Sequence, residues 1–160
     1  MAVLFSDMNP LSRVWVFQSD RVLSAQEQDL ISSKVSAFIK EWATHGTPLH
    51  ASFEIKNNCS VIVAVDESIQ SASGCSISSI TSLFESLGEV LNLSFFDRFS
   101  IAYLSHNKVE VTTVKEFKEF ISTGLVDEDT IVYNNLIALK EDLSTKWELP
   151  LKESWQKRYL

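Results

Sequence analysis

ASFEIKNNCSVIVAVDE (51–67) sets two strand-forming runs on either side of Asn57-Asn58. Asparagine tolerates a left-handed backbone, so the pair reads as the turn of a β-hairpin, and the architecture of the chain follows from where that hairpin falls. Upstream, RVWVFQSD (13–20) places three β-favouring residues in a row after Pro10 and then a polar exit, which reads as a buried strand. Between the two, Ser24 and Glu27 form a capping box ahead of Leu30, Ile31, Val35, Phe38, Ile39 and Trp42, an apolar stripe at helical spacing. Gly46 and Pro48 are expected to stop that helix.

Downstream, Ile80, Leu83, Phe84, Leu87 and Leu91 mark a second amphipathic helix, weakened by Gly88 inside it. RFSIAYL and KVEVTTV pair across Ser105-His106-Asn107 as another hairpin, and Thr113 with Glu116 opens a third helix that Gly124 closes. TIVY (130–133) reads as a short strand, Leu136, Leu139, Leu143 and Trp147 as a further helix, and Trp155 and Tyr159 as a last turn beyond Pro150. The first six elements, βαββαβ, match the split arrangement of ferredoxin-like folds, in which two helices cover one face of an antiparallel sheet. The expected fold is therefore α+β in a single domain over 1–160, with a strand and helices added at the C-terminus; a different α+β sandwich is the competing topology.

Composition narrows the function classes. With 160 residues, four Trp, ten Phe and a hydrophobic fraction of 45%, the chain can bury one sizeable core and has no disordered character. Fourteen basic against twenty-one acidic residues give a net charge of −7, which disfavours binding to nucleic-acid backbones and anionic membranes. No apolar run approaches the roughly 20 residues that cross a bilayer, and MAVLFSDMNP (1–10) lacks the form of a secretory leader. Cys59 and Cys75 stand in no CxxC arrangement, so the expectation is a soluble cytoplasmic protein with both thiols reduced. P-loop, GxGxxG, HExxH and GxSxG motifs are absent, and His45, His50 and Cys75 have no recognised zinc spacing; no cofactor is expected.

A candidate site comes from topology. If the hairpin returns its second strand beside the strand at 13–18, the loop after it meets the start of that first strand and the turn after helix 1. Arg13, His45, Gly46, Asp66, Glu67, Ser73, Gly74, Cys75 and Ser76 then share one edge of the sheet. Gly74 is expected to turn the chain tightly into helix 2, with Ser76 or Ser78 as its cap and with free amides that favour an anion and a thiolate at Cys75. Cys59, opening an apolar strand, reads as an inert core thiol. Plainer roles compete: Asp66-Glu67 as a strand terminator, the serines as a helix cap, His45 as a helix-end residue.

RVWVFQSDR, EWATHGTPLHASFEI, AVDESIQSASGCSIS and TIVYNN together resemble a family of small uncharacterised bacterial proteins that often carries the label "ABC transporter ATPase". The likeness covers nearly the whole chain, and Ser78 stands where the family's pattern favours an acidic residue. The label implies a phosphate loop and an LSGGQ-type signature, neither of which is present; only VIVAVDE imitates a Walker B strand, so ATP hydrolysis is not expected. Three functions follow from the residues. The first is a binding module for a small anionic or polar ligand, or a peptide end, at the edge formed by 45–50 and 66–76. The second is a thiol enzyme with Cys75 as nucleophile, His45 as base and Asp66 as orienting acid. The third is a scaffold whose exposed tail from Trp147 to Tyr159 docks an oligomeric or protein partner.

Overall fold

The computed structural model describes residues 3–160; Met1 and Ala2, at the head of the segment read for a leader, lie outside the described residues. The opening hairpin forms β4 (Ala51–Lys56) and β5 (Ser60–Val65), with Asn57 and Asn58 at φ 58° and 57°. β5 is the centre of a three-stranded antiparallel sheet of order β1-β5-β4, in which β1 spans Arg13–Gln18. All six residues of β5 are buried because both of its faces are covered. Val61, Val63 and Val65 face a helical layer; Ile62 and Ala64 face a second sheet.

The helical layer consists of α1 (Ala25–Glu41) and α2 (Gly74–Leu91). Ser24 and Glu27 cap α1 reciprocally, as their spacing predicts. Ile31 and Val35 of α1 and Ile80 and Phe84 of α2 close over the valines of β5, and Phe84 stacks on Phe17 at 4.0 Å. A buried side chain of this size contributes about 1.5–3 kcal/mol. α2 ends on Asn92 in the left-handed conformation, with the Leu93 N–H donating to the Gly88 carbonyl at 3.0 Å. Gly88 is required there: a Cβ at this position would lie 2.7 Å from the Leu93 carbonyl oxygen.

The α+β reading and the antiparallel pairing hold, and β1-β5-β4 reproduces three strands of the split arrangement. The fourth does not follow it. β6 (Ser100–Ser105), expected beside β1, instead heads a second sheet of order β7-β6-β8-β9, with β7 at Lys108–Thr113, β8 at Ile131–Tyr133 and β9 at Glu148–Pro150. The outer edge of β1 is taken by an extended segment, through Val14 N–H to the Ala138 carbonyl at 2.9 Å and Lys140 N–H to the Ser12 carbonyl at 2.8 Å. Ala102, Tyr133 and Trp147 pack on the face of the first sheet opposite the helices, and α3 (Val114–Thr123) covers the far side of the second sheet with Phe117. The result is two stacked sheets between outer helices, so helices on one face describes the first sheet alone.

Two further expectations are corrected. Helix 1 ends at Glu41, not at Gly46, because residues 43–48 fold into a small hairpin, β2 (Ala43–Thr44) and β3 (Thr47–Pro48), turning on His45 and Gly46 at φ 50° and 80°. The Leu136–Trp147 spacing forms no α-helix: it contains the extended strap on β1 and a short 3-10 turn at Lys140–Ser144. Trp147 is thereby buried, its indole N–H donating to Asn135 Oδ1 at 2.9 Å and its ring 4.9 Å from Tyr133.

Candidate functional site

The β1-β5 pairing brings the predicted edge together. Asp66, directly after β5, donates its N–H to the His50 carbonyl at 2.9 Å, and Arg13 Nη1 lies 3.8 Å from Glu67 Oε1. The Arg13 guanidinium also sits 4.6 Å over the Trp15 ring. Glu67 accepts from the Ala72 N–H at 3.0 Å, and Asp66 Oδ1 accepts from the Ser68 N–H at 3.0 Å and its hydroxyl at 2.6 Å. Both acids therefore shape the 66–73 loop, the work expected of a carboxylate that ends a strand and organises a turn.

Helix α2 is capped by Ser73, not by Ser76 or Ser78. The Ser76 N–H donates to Ser73 Oγ at 3.1 Å, and the Ser73 N–H donates to Ser76 Oγ at 2.7 Å. Thr44 and Trp42 tie this cap to the small hairpin, since the Ser73 N–H also meets Thr44 Oγ1 at 3.2 Å and the Trp42 indole donates to the Ser76 carbonyl at 2.9 Å. Gly74 is the first helical residue and does not have a positive φ; a Cβ there would meet nothing within 4 Å, so the tight-turn role assigned to it is not needed.

His45 and Gly46 stand exposed at the tip of the small hairpin, and Cys75 is exposed in the first turn of α2. Among the described residues no hydrogen bond joins His45 to Cys75 or to Asp66: Asp66 is occupied by Ser68, and the Cys75 carbonyl accepts from the Ser79 hydroxyl at 2.9 Å. Cys59 is the inert thiol expected, buried, with its pKa pushed up by loss of solvent. Among the described residues no group of three His, Cys, Asp or Glu side chains is arranged to hold a metal ion.

Beside this edge lies a groove of about 750 Å³, which sequence reasoning reached only at its rim. Pro48, Leu49 and His50 form one end; Ser36, Ile39 and Lys40 of α1 form one wall; Ala51, Ser52 and Phe53 of β4 form the other, with Val3 beside Ser52, whose hydroxyl donates to the Val3 carbonyl at 2.7 Å. Its volume is that of a small-molecule or peptide site, about 300–1,000 Å³. Lys40 and His50 are its titratable residues, and no carboxylate lines it, although the chain as a whole carries −7. A signal for it exists in the sequence: Ala51, Phe53 and Ile55, the alternate positions of β4, are all uncharged.

No protein-family model, curated protein or solved structure matches this chain. The functional reading therefore rests on the geometry. Among the described residues no helix is long and apolar enough to cross a membrane.

Proposed function

We propose that the chain is a binding module that takes a small anionic or polar ligand, or a peptide end, in the groove between α1 and β4. The observation that carries this reading is the lining: an apolar floor from Ile39, Leu49 and Phe53, with Lys40 and His50 and no carboxylate, on an otherwise acidic protein. The 66–76 loop acts as its buttress, holding residues 44–50 through Thr44 and the His50 carbonyl. The same reading places the protein in the cytoplasm, where Cys59 and Cys75 stay free thiols. The test is a titration of uniformly ¹⁵N-labelled protein with N-acetyl-leucine, N-acetyl-phenylalanine and inorganic phosphate. Saturable amide shifts over 36–40 and 49–53 are expected; a spectrum unmoved by all three at millimolar concentration overturns the reading.

A second reading keeps Cys75 as a nucleophile with His45 as base, supported by the exposure of Cys75 in the first turn of α2. Alkylation rate against pH separates the two: a Cys75 that titrates near 8.5 like a free thiol leaves the binding module. Docking through the tail is reduced to Trp155, which is 40% exposed, because Trp147 belongs to the core.

A further inference from the structure

Resting on that reading of the groove, we infer that its occupant is an extended peptide with a free C-terminal carboxylate, which adds to the open edge of β4 as a fourth antiparallel strand. β4 is the outer strand of its sheet. The Asp66 N–H to His50 carbonyl bond fixes the register: with Ala51 opposite Val65, the residues of β4 that bond β5 are Ser52, Glu54 and Lys56. Ala51, Phe53 and Ile55 therefore turn their N–H and C=O groups outward, and none of these groups finds a partner among the described residues. At the opposite edge of the sheet, by contrast, the strap at 138–140 occupies β1.

The groove follows that open edge. Ser52 and Phe53 have side chains on opposite faces of the sheet, yet both line it, so the space lies alongside the backbone of the strand and not over one face. Edges are usually blunted by charge, proline or a bulge; β4 runs in unbroken register, and its two charged residues, Glu54 and Lys56, stand in its second half, beyond the residues that line the groove. A strand laid along it gains backbone hydrogen bonds from β4, while Ile39 and Phe53 receive alternate apolar side chains, the division of labour of β-strand addition. Direction follows from charge. Lys40, in the last turn of α1, and His50, directly before β4, both line the groove, so a peptide running antiparallel to β4 brings its carboxylate toward the Lys40 ammonium and the His50 ring.

The experiment selects octapeptides displayed with free C-termini on the full-length protein and measures the best, labelled at its N-terminus, by fluorescence anisotropy. Amidating its C-terminus or replacing Lys40 with Glu should weaken binding at least tenfold. N-methylation at every second peptide amide should abolish binding, and methylation at the intervening amides should leave it within twofold. Variants are checked by circular dichroism, and Ser36→Arg supplies a second block of the groove from an exposed helix position. A peptide that is lost with Lys40→Glu and Ser36→Arg but tolerates methylation at every amide retains the groove and overturns strand addition. Selection of no peptide, with no amide shifts from the N-acetyl amino acids, overturns the groove itself. A concentration-independent dimer whose β4 amides are protected from exchange assigns the edge to a second copy and overturns the peptide.

Discussion

Replacing Gly88 with Ala should destabilise the protein, against the usual direction for a helix interior, where alanine is favoured over glycine by about 1 kcal/mol. The added Cβ would lie 2.7 Å from the Leu93 carbonyl oxygen, a backbone atom. That segment cannot easily give way. The Leu93 N–H is bonded to the Gly88 carbonyl, Arg21 Nη2 donates to the Leu91 carbonyl at 2.9 Å, and the Asp20 N–H donates to the Ser94 carbonyl at 2.9 Å. Overpacking of this kind costs about 1–3 kcal/mol, and loss of the Leu93 hydrogen bond adds about 1. Subtracting the intrinsic gain leaves about 1–3 kcal/mol of destabilisation, a fall in Tm of about 2–4 °C for each kcal/mol at this chain length. Gly74→Ala is the matched control. Its Cβ meets nothing within 4 Å at the first position of α2, so stability should be unchanged or rise by up to about 1 kcal/mol. Urea unfolding followed by tryptophan fluorescence measures both. A Gly88→Ala midpoint equal to or above that of Gly74→Ala would refute the close approach at the end of α2.

Trp42→Ala should cost about 3–5 kcal/mol in the same assay, since it removes a buried ring and the indole bond to the Ser76 carbonyl; Phe38→Ala, from a half-buried position, should cost less, and equal losses would contradict the packing. Glu27 is drawn down from 4.5 to about 2, first by the paired Arg21 guanidinium and then by the Ser24 N–H. A depressed carboxylate stabilises the fold above its unfolded pKa and loses that contribution as pH falls, so Glu27→Gln should flatten the stability profile between about pH 4.5 and 2. Because Arg21 is 43% exposed the screened effect is about 1 kcal/mol; an unchanged profile refutes the pairing. A disulfide reagent at neutral pH should modify one thiol of the native protein, Cys75, and reach Cys59 only on unfolding; two equivalents titrated in the native state would show that β5 is not closed on both faces.

Local signals in the sequence were readable where the structure is local. Asn57-Asn58, His106-Asn107 and the Ser24–Glu27 box each specify a turn or cap through the conformations those side chains allow, and all are present. His45-Gly46 is the same kind of signal, but beside a proline and after a helix it reads as a helix stop. Its identity as a hairpin depends on the short strands that flank it. The Leu136, Leu139, Leu143, Trp147 spacing imitates a helix, yet the four share no buried face: Leu136 is exposed, Leu139 and Leu143 are half-buried and Trp147 is buried. What decides its form is the edge of β1, more than 120 residues earlier. The site divides in the same way. Arg13, Asp66 and Glu67 meet as strand pairing predicts, whereas the groove needs α1 and β4 placed side by side, a relation that neither segment encodes alone.

The strap at 138–140 also sets an order of events during synthesis. Val14 and Ile62, at the heart of the first sheet, share their buried cluster with Tyr133 and Trp147, and β1 completes its hydrogen bonds only with Ala138 and Lys140. A nascent chain that has released only the first hundred residues has its helices and three strands but an uncovered apolar face and an unfilled strand edge. That is the condition in which chains associate with one another or with chaperones. The closing segment follows β5 by more than seventy residues, so the first sheet waits for it, and a truncation before Leu136 should yield an aggregating fragment and not a smaller folded unit.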